Sequence, residues 1–337
     1  MLDNMLISML QPFYMKQPST LDLTLRRYAP EDKPAWNEFI RIAKNGMFLF
    51  DRKYMDYHGE RFADHSLVAF KKKKIIAVFI ASGKGREIIA HAGLTFGGAV
   101  LHPRIQFAEV VEIFTLAMDL YRNEGFTQLT YKAIPHTYHR IPAGEDQYAL
   151  FHHNAVLVKR DISSVINLSS KVRFSQTKKN AAAKCGRMGV RIAENTDFAP
   201  FWALLQETLL SRYNTLPVHS LEEIICLKDR FERNIRLHEA RLDGRLLAGV
   251  VIYDFGDVAH TQYMACSDEG RNLHALDFLN MFLVSEVYNC RKYYSFGTSS
   301  EAGGRQVNEG LLHYKEMLGG HGIIHDSYKI DLTKYQA

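Results

Sequence analysis

IRLHEARLDGRLLAGVVIYDFGDVAHTQYMAC, residues 235–266, holds three apolar runs, 235–242, 245–255 and 258–266, broken at Asp243-Gly244 and Gly256-Asp257. β-Branched and aromatic residues between Asp-Gly and Gly-Asp turns spell an antiparallel meander. SDEGRNLHALDFLNMFLVSEVYN (267–289) reads as a loop that becomes an amphipathic helix, with Leu276, Leu279, Phe282 and Leu283 on its apolar stripe. KYYSFG (292–297) is a short strand, followed by a Gly-rich loop and a second helix, QVNEGLLHYKEMLGG (306–320). Three meander strands, helix, strand and helix describe an α/β unit with mixed, α+β-type sheets.

The same order occurs upstream. Residues 1–20 read as a leader, LDLTLRRY (21–28) as a strand, and PAWNEFIRIA (34–43) as a helix. GMFLFDRKYMDYHGERFADH (46–65) reads as a loop with a short helix. SLVAF (66–70) and IIAVFIA (75–81) are strands, and the four lysines at 71–74 form a solvated hairpin turn between them. EIIAHAGL (87–94) is a strand, TFGGAVLHP (95–103) a Gly-rich loop and QFAEVVEIFTLAMDLYRNEG (106–125) a helix. LTYKAIP (129–135) is a strand and EDQYALFHH (145–153) a helix; AVLVKRD (155–161) and SSVINL (163–168) read as two strands.

The two series align residue against residue. Pro34-Ala35-Trp36 matches Pro200-Phe201-Trp202, Ala69 and Ala77 match Ala240 and Ala248, and Ile166-Asn167-Leu168 matches Ile330-Asp331-Leu332. Each match sits in the equivalent predicted element, which points to two tandem copies of one unit. The first spans 21–165 and the second 166–337, with KVRFSQTKKNAAAKCGRMG (171–189) as a basic linker helix. Its cations (Lys171, Arg173, Lys178, Lys179, Lys184, Arg187) either face water or grip phosphate.

Composition bounds the function. With 47% hydrophobic and 23% charged residues in 337, the chain has the make-up of a soluble globular protein. A net charge of +5 suits an anionic small ligand and does not by itself argue nucleic acid. Cys185, Cys226, Cys266 and Cys290 are too widely spaced for a zinc motif or a disulfide framework, which implies a reduced, cytoplasmic setting. The first residues lack a signal peptide's basic region and cleavage site, and no run is long enough to span a bilayer.

Together these segments resemble the FemAB-like branch of the GNAT (GCN5-related N-acyltransferase) superfamily, and most of all the acetyltransferases of surface-polysaccharide biosynthesis. The resemblance runs from about Leu21 to Leu332 and rests on FLFDRKYMDYHGERF (48–62), HAGLTFGG (91–98), YKAIPHTYHRIP (131–142), DQYALF (146–151), PVHS (217–220), HTQY (260–263), FGTSS (296–300) and NEGLLHYKEMLGG (308–320). The last is similar to the branch's Tyr-Lys-x-x-Phe-Gly ending, with Leu318 in place of Phe. It implies two tandem acyl-CoA N-acyltransferase units, acetyl-CoA or another acyl-CoA as donor, no metal, and an amino-sugar or sugar-nucleotide acceptor. It further implies that one copy, here the second, keeps the chemistry. The superfamily's pyrophosphate loop, Arg/Gln-x-x-Gly-x-Gly/Ala, works through backbone N–H groups at a helix N-terminus. Here 267–275 (SDEGRNLHA) holds one glycine and two acids, and its carboxylates oppose a pyrophosphate. An aminoacyl-tRNA-dependent peptidyl transferase acting on a cell-wall precursor therefore stays open, as does a non-catalytic sugar- or nucleotide-binding module.

Acyl transfer needs a base, an oxyanion donor and an acid for the leaving group. Backbone N–H groups near Met264 and Ala265 are the expected oxyanion donors, and His260 and Glu301 are candidate bases. His260 shares a strand face with Gln262, and Glu301 follows a strand end. By resemblance Tyr314 is the acid and Asn308 contacts the cofactor, although Tyr314 falls six rather than seven residues after Asn308, a turn of about 100°. Gly270, Arg271 and Lys315 complete the donor set. For the acceptor, Lys132, Tyr138, His139 and Arg140 are expected to converge in a proline-bounded turn, with His91, Thr95, Tyr148 and Gln262 beside them. His136 and His139 lack a third metal ligand, and His152-His153 suits a helix end.

Overall fold

A computed structural model describes residues 22–59 and 61–334; the leader expected over 1–20 lies outside the described residues. In chain order the first half runs β1 (Leu23–Arg27), α1 (Lys33–Ile42), β2 (Ala63–Asp64), β3 (Leu67–Lys71), β4 (Lys74–Ile80), β5 (Ser82–Lys84), β6 (Glu87–Ile89), β7 (Gly98–Leu101), α2 (Phe107–Asn123), β8 (Gln128–Lys132), α3 (Glu145–His152) and β9 (Val156–Asn167). The second runs α4 (Gln176–Arg187), β10 (Arg191–Asn195), α5 (Ala199–Tyr213), α6 (Leu221–Arg230), β11 (Ile235–Leu242), β12 (Arg245–Asp254), β13 (Val258–Cys266), α7 (Ala275–Phe282), β14 (Tyr293–Thr298), β15 (Ser300–Glu301), β16 (Gln306–Val307), α8 (Glu309–Met317) and β17 (His321–Asp331). The fold is mixed α/β, as the patterning implied.

The repeat is visible in the register. Ala69 pairs with Ala77 in the first hairpin and Ala240 with Ala248 in the second. Each pair is followed by the same extra residue, Ile76 or Leu247, whose carbonyl accepts from His102 N–H in one copy and Ser267 N–H in the other. Trp36 and Trp202 sit at the same place in α1 and α5, each behind a proline in the first turn and each fully buried. Proline is tolerated there because its missing N–H has no intrahelical partner to lose.

The halves are not separate sheets. β1, β3, β4 and β7 form a four-stranded sheet, while β10-β11-β12-β13-β14-β9-β17-β8-β6-β5-β2 is one continuous sheet through both copies. The stretch 155–168 is a single strand rather than two, and residue 165 falls inside it. β9 leaves its own half to pair antiparallel with β14, and β17 returns to pair with β8, so the copies exchange their last strands. The stretch read as a Gly-rich loop, 95–103, contains β7, and the preceding strand stops at Ile89 because His91 turns to φ 50°.

One apolar cluster joins the halves. Trp36, Phe50 and Val100 pack in it with Phe201, Trp202 and Tyr253. Phe48 reaches across to Phe231, Tyr253 and Phe255 with ring centroids at 5.3, 5.4 and 5.1 Å. Burying such side chains contributes roughly 1.5–3 kcal/mol each, so the seam is a core and not a hinge between loose bodies. Among the described residues, no helix is long and apolar enough to cross a membrane.

Deep in the first half, Tyr131 Oη donates to Asp146 Oδ2 at 2.7 Å, and burial lifts the Asp146 carboxyl from 3.8 to about 6. The folded state therefore holds this proton more tightly than the unfolded chain. Its contribution is full below pH 3.8 and is lost as pH rises through about 6. Asp146→Asn is expected to flatten the pH dependence of the urea midpoint across that window; an unchanged slope would show that another group sets it.

Candidate active site

β13 and β14 run parallel and pair only through Val258–Tyr293, Ala259–Tyr294 and His260–Ser295. Beyond His260 they part, and β13 keeps only β12 as a partner. The β12–β13 ladder carries an extra residue, Gln262, between Thr261 opposite Ile252 and Tyr263 opposite Val251. Such bulges re-aim a strand and are common beside active sites. Ser267 N–H donates to Leu247 O directly across this ladder. Antiparallel pairs alternate between bonded and non-bonded. Ala265 N–H therefore faces β12, and the N–H groups of Met264 and Cys266 face the gap. The Cys266 carbonyl, outward by the same rule, accepts from Arg271 Nη1 at 2.5 Å.

The first copy shows what a filled gap looks like. Equivalent register makes Ala99 the counterpart of Met264 and Tyr131 the counterpart of Phe296. Ala99 N–H donates to Tyr131 Oη at 3.1 Å. Phe296 carries no oxygen, so the corresponding position in the second copy leaves the Met264 N–H to the cleft.

That cleft holds about 490 Å³. Met264, Ala265 and Cys266 form its floor, Leu276 and Asp277 of α7 and Leu311 and Tyr314 of α8 form two walls, and Thr208, Leu209, Arg212 and Tyr213 of α5 form the rim. Lys178, on the basic linker helix, turns inward: its Nζ binds both Asp277 oxygens at 2.8 and 2.9 Å and lies 4.5 Å over the Tyr314 ring. Tyr314 Oη sits 3.4 Å from Asn280 Nδ2 and burial holds its hydroxyl well above the usual range, so it stays protonated. Arg212 is exposed and has no acidic partner among the described residues.

Ser267 caps a short helix over Asp268–Asn272, and its N-terminus is closed. Gly270 N–H donates to Ser267 Oγ at 3.0 Å and Arg271 N–H to Ser267 O at 2.9 Å, while the Arg271 guanidinium is held by Cys266 O and Asp268. The cleft thus carries the exposed Arg212 cation at its rim. Gly270 and Arg271 both line the cleft, but their N–H groups are spent on Ser267, which leaves no open nest there. Packing also requires glycine at 270: a Cβ would stand 2.2 Å from the Leu247 carbonyl oxygen. Gly270→Ala should push the turn off β12 and raise the KM for the donor several-fold with a smaller change in kcat; an unchanged KM would mean the turn does not border the donor.

A second cleft, about 290 Å³, opens between the halves and is lined by Thr95 and Gln262 together with Tyr54, Arg61, Phe62, His219 and Tyr253. Tyr138 and His260, 122 residues apart, meet at the seam: Tyr138 Oη is 3.0 Å from His260 Nδ1. The remaining expected acceptor residues do not converge. Lys132 Nζ is held by the carbonyls of His91 and Leu94, and His91 itself is buried. His139 Nε2 lies 3.0 Å from Ile134 O within its own loop. Arg140 donates to the carbonyls of Ile40, Arg41 and Ala43, where a cation suits the end of α1. Tyr148 is exposed on α3 against Phe107 and Phe151 and lines neither cleft.

On the donor side, Lys315 is 1% exposed, with Nζ on Gly297 O, Thr298 O and Ser299 Oγ at 2.9, 2.7 and 2.9 Å. All three N–H bonds are used, so it clamps the end of β14 and cannot meet a phosphate. Asn308 borders the cleft but spends its side chain capping α8 and donating to Glu301, whose carboxylate is thereby tied to the β15–β16 ladder. Sequence reading missed Arg212, Asp277 and Ser295, none of which lies in a motif.

Residues 171–316 match the family described as the acetyltransferase (GNAT) domain. The second half carries a GNAT acetyltransferase-type domain. Solved structures similar to the whole chain are FemX (10% identity, 91% of this chain and 96% of that one, TM-score 0.66), L-PGS from Bacillus licheniformis (11%, 90% and 92%, 0.57) and a tandem GNAT protein from the clavulanic acid biosynthesis pathway (12%, 92% and 98%, 0.52). At these identities the likeness is one of fold. No curated protein sequence matches the chain. Within the GNAT domain, the gap beyond His260 and the cleft under it are both built from the matched residues.

Proposed function

We propose that the protein is an acyltransferase that moves an acyl group from acetyl-CoA or another acyl-CoA to the amino group of an amino-sugar or sugar-nucleotide precursor of surface polysaccharide. The observation that carries this reading is the Met264 N–H, which faces an open gap while its counterpart in the first copy is occupied by Tyr131. In the proposed step the acceptor nitrogen attacks the thioester carbonyl carbon. A C–N bond forms, the C–S bond breaks, and the amine proton leaves with the thiol. The Met264 N–H donates to the carbonyl oxygen as charge gathers there, and one such donor accounts for about 10²–10³ in rate. The inter-half cleft suits the acceptor: the half-buried Phe62 ring offers apolar surface to a sugar, and Thr95 and Gln262 offer hydrogen bonds.

Titration calorimetry with coenzyme A and thiol release across a panel of amino sugars test the reading. Binding with no turnover of any amine would refute it. Arg212→Ala is expected to weaken coenzyme A binding about 3–10-fold at low salt and less at high salt, because an exposed cation is screened.

One observation favours a second reading, an aminoacyl-tRNA donor. Lys171, Arg173, Lys179, Lys184 and Arg187 are exposed and have no acidic partners among the described residues. Binding of tRNA with a steep salt dependence, lost when these five are neutralised, would select it over coenzyme A.

A further inference from the structure

His260 is the last residue of β13 paired with β14, and its ring meets two hydroxyl groups. Nδ1 is 3.0 Å from Tyr138 Oη and 3.1 Å from Ser295 Oγ, and Tyr138 Oη is 3.1 Å from Ser295 Oγ. The three atoms form a closed triangle. Tyr138 comes from the first half and Ser295 from β14, and both are buried, at 5% and 0% exposure. Ser295 Oγ also accepts from Gly297 N–H at 3.3 Å.

Proton counting in this triangle has one solution. The hydroxyls bring two protons, and a buried hydroxyl left without an acceptor is destabilising. If Nδ1 also carried a proton, the three contacts would have to take three donors. Tyr138 and Ser295 cannot both donate to one another, so one hydroxyl would be left without an acceptor. Every arrangement that uses both hydroxyl protons makes Nδ1 an acceptor. The proton of a neutral ring then sits on Nε2. We infer that His260 is held as a neutral, Nε2-protonated imidazole that presents an N–H donor at the start of the strand gap, and that Ser295 and Tyr138 are positioning residues that set this tautomer.

The surroundings keep the ring neutral. Burial, with His325 of β17 and Lys315 of α8 nearby, lowers His260 to about 3; Phe255 on the third side brings no charge. Nε2 has no hydrogen-bond partner among the described residues. Gly297, at φ 69°, keeps that edge open, since a Cβ there would come within 3.3 Å of Cε1 and 3.9 Å of Nε2. The residue expected from sequence to be a base therefore carries its proton on the nitrogen edge beside Gly297, and the first half supplies part of what orients it. Its use in acyl transfer rests on the function proposed above, whereas the tautomer is a property of the fold.

Long-range proton–nitrogen NMR of the full chain with labelled histidine tests the tautomer without any substrate. The His260 signals, assigned by their loss in His260→Gln, should show protonated Nε2 and bare Nδ1, with no titration between pH 5 and 9. The double variant Ser295→Ala with Tyr138→Phe should admit the Nδ1-protonated tautomer while the ring stays neutral, because burial and not the hydroxyls holds the charge off. A protonated Nδ1 in the wild type, or a midpoint near 6–7, would overturn the inference. If amines are turned over, the Ser295→Ala/Tyr138→Phe pair should lower kcat at least 10-fold with little change in KM, whereas a merely structural role would leave kcat unchanged. Lack of turnover with the NMR result intact would fault the function alone.

Discussion

Phe296→Tyr is expected to lower acyl transfer about 10²-fold or more while the protein stays folded, because its hydroxyl would take the Met264 N–H as Tyr131 takes that of Ala99. The substitution copies the first half into the second. Phe296 is 3% exposed and packs on Tyr294 with ring centroids 5.2 Å apart, so the added oxygen has an N–H to meet and little solvent to reach. Steady-state thiol release and a thermal melt give the two readouts. Tyr131→Phe is the reciprocal control. It strands the Ala99 N–H and removes a hydrogen bond from Asp146, so it should cost about 1–3 kcal/mol of stability and leave transfer nearly unchanged. Full activity in Phe296→Tyr combined with lost activity in Tyr131→Phe would place the chemistry in the first half instead.

Asp277→Ala should be the most damaging polar substitution to stability. The Lys178–Asp277 pair is buried, with side-chain exposures of 11% and 6%, and joins the linker helix to α7. Removing the carboxylate leaves an ammonium among apolar walls, with only the Tyr314 ring beneath it. Breaking a buried pair in this way costs about 3–5 kcal/mol, whereas replacing both partners by apolar groups of similar volume costs far less. Urea unfolding should show the midpoint of Asp277→Ala falling steeply, and the double variant Lys178→Met/Asp277→Leu recovering most of the loss. If the single variant lies within about 1 kcal/mol of wild type, the pair is solvated, as in an ordinary surface bridge. Because both residues border the larger cleft, the double variant also asks whether the cleft needs the charges or only their volume.

Much of the fold is legible in local chemistry. Asp243 and Gly244 adopt φ 48° and 81°, the left-handed pair that a two-residue hairpin demands, and their dipeptide announced it. The alanines that revealed the repeat turn out to face one another across equivalent hairpins. The site was less readable because it depends on burial. Lys315 and Arg140 look like ligands on paper, since a cation is expected in solvent, yet both satisfy backbone carbonyls. Gly98 suggested a loop, but it lies in a strand where a Cβ would come within 2.2 Å of the Tyr131 ring.

The sequence alone determined most of the order of elements, several of the turns between them and their occurrence twice, because side-chain period and turn chemistry act over a few residues. The tertiary structure decided which strand each edge accepts, which gap is filled and which proton His260 carries. β9 and β17 have patterns that suit either half, and only the burial of both ends against distant partners makes the exchange the stable pairing. The Tyr131 plug and the Tyr138–His260–Ser295 triangle follow from that exchange, as contacts between groups that no local pattern connects.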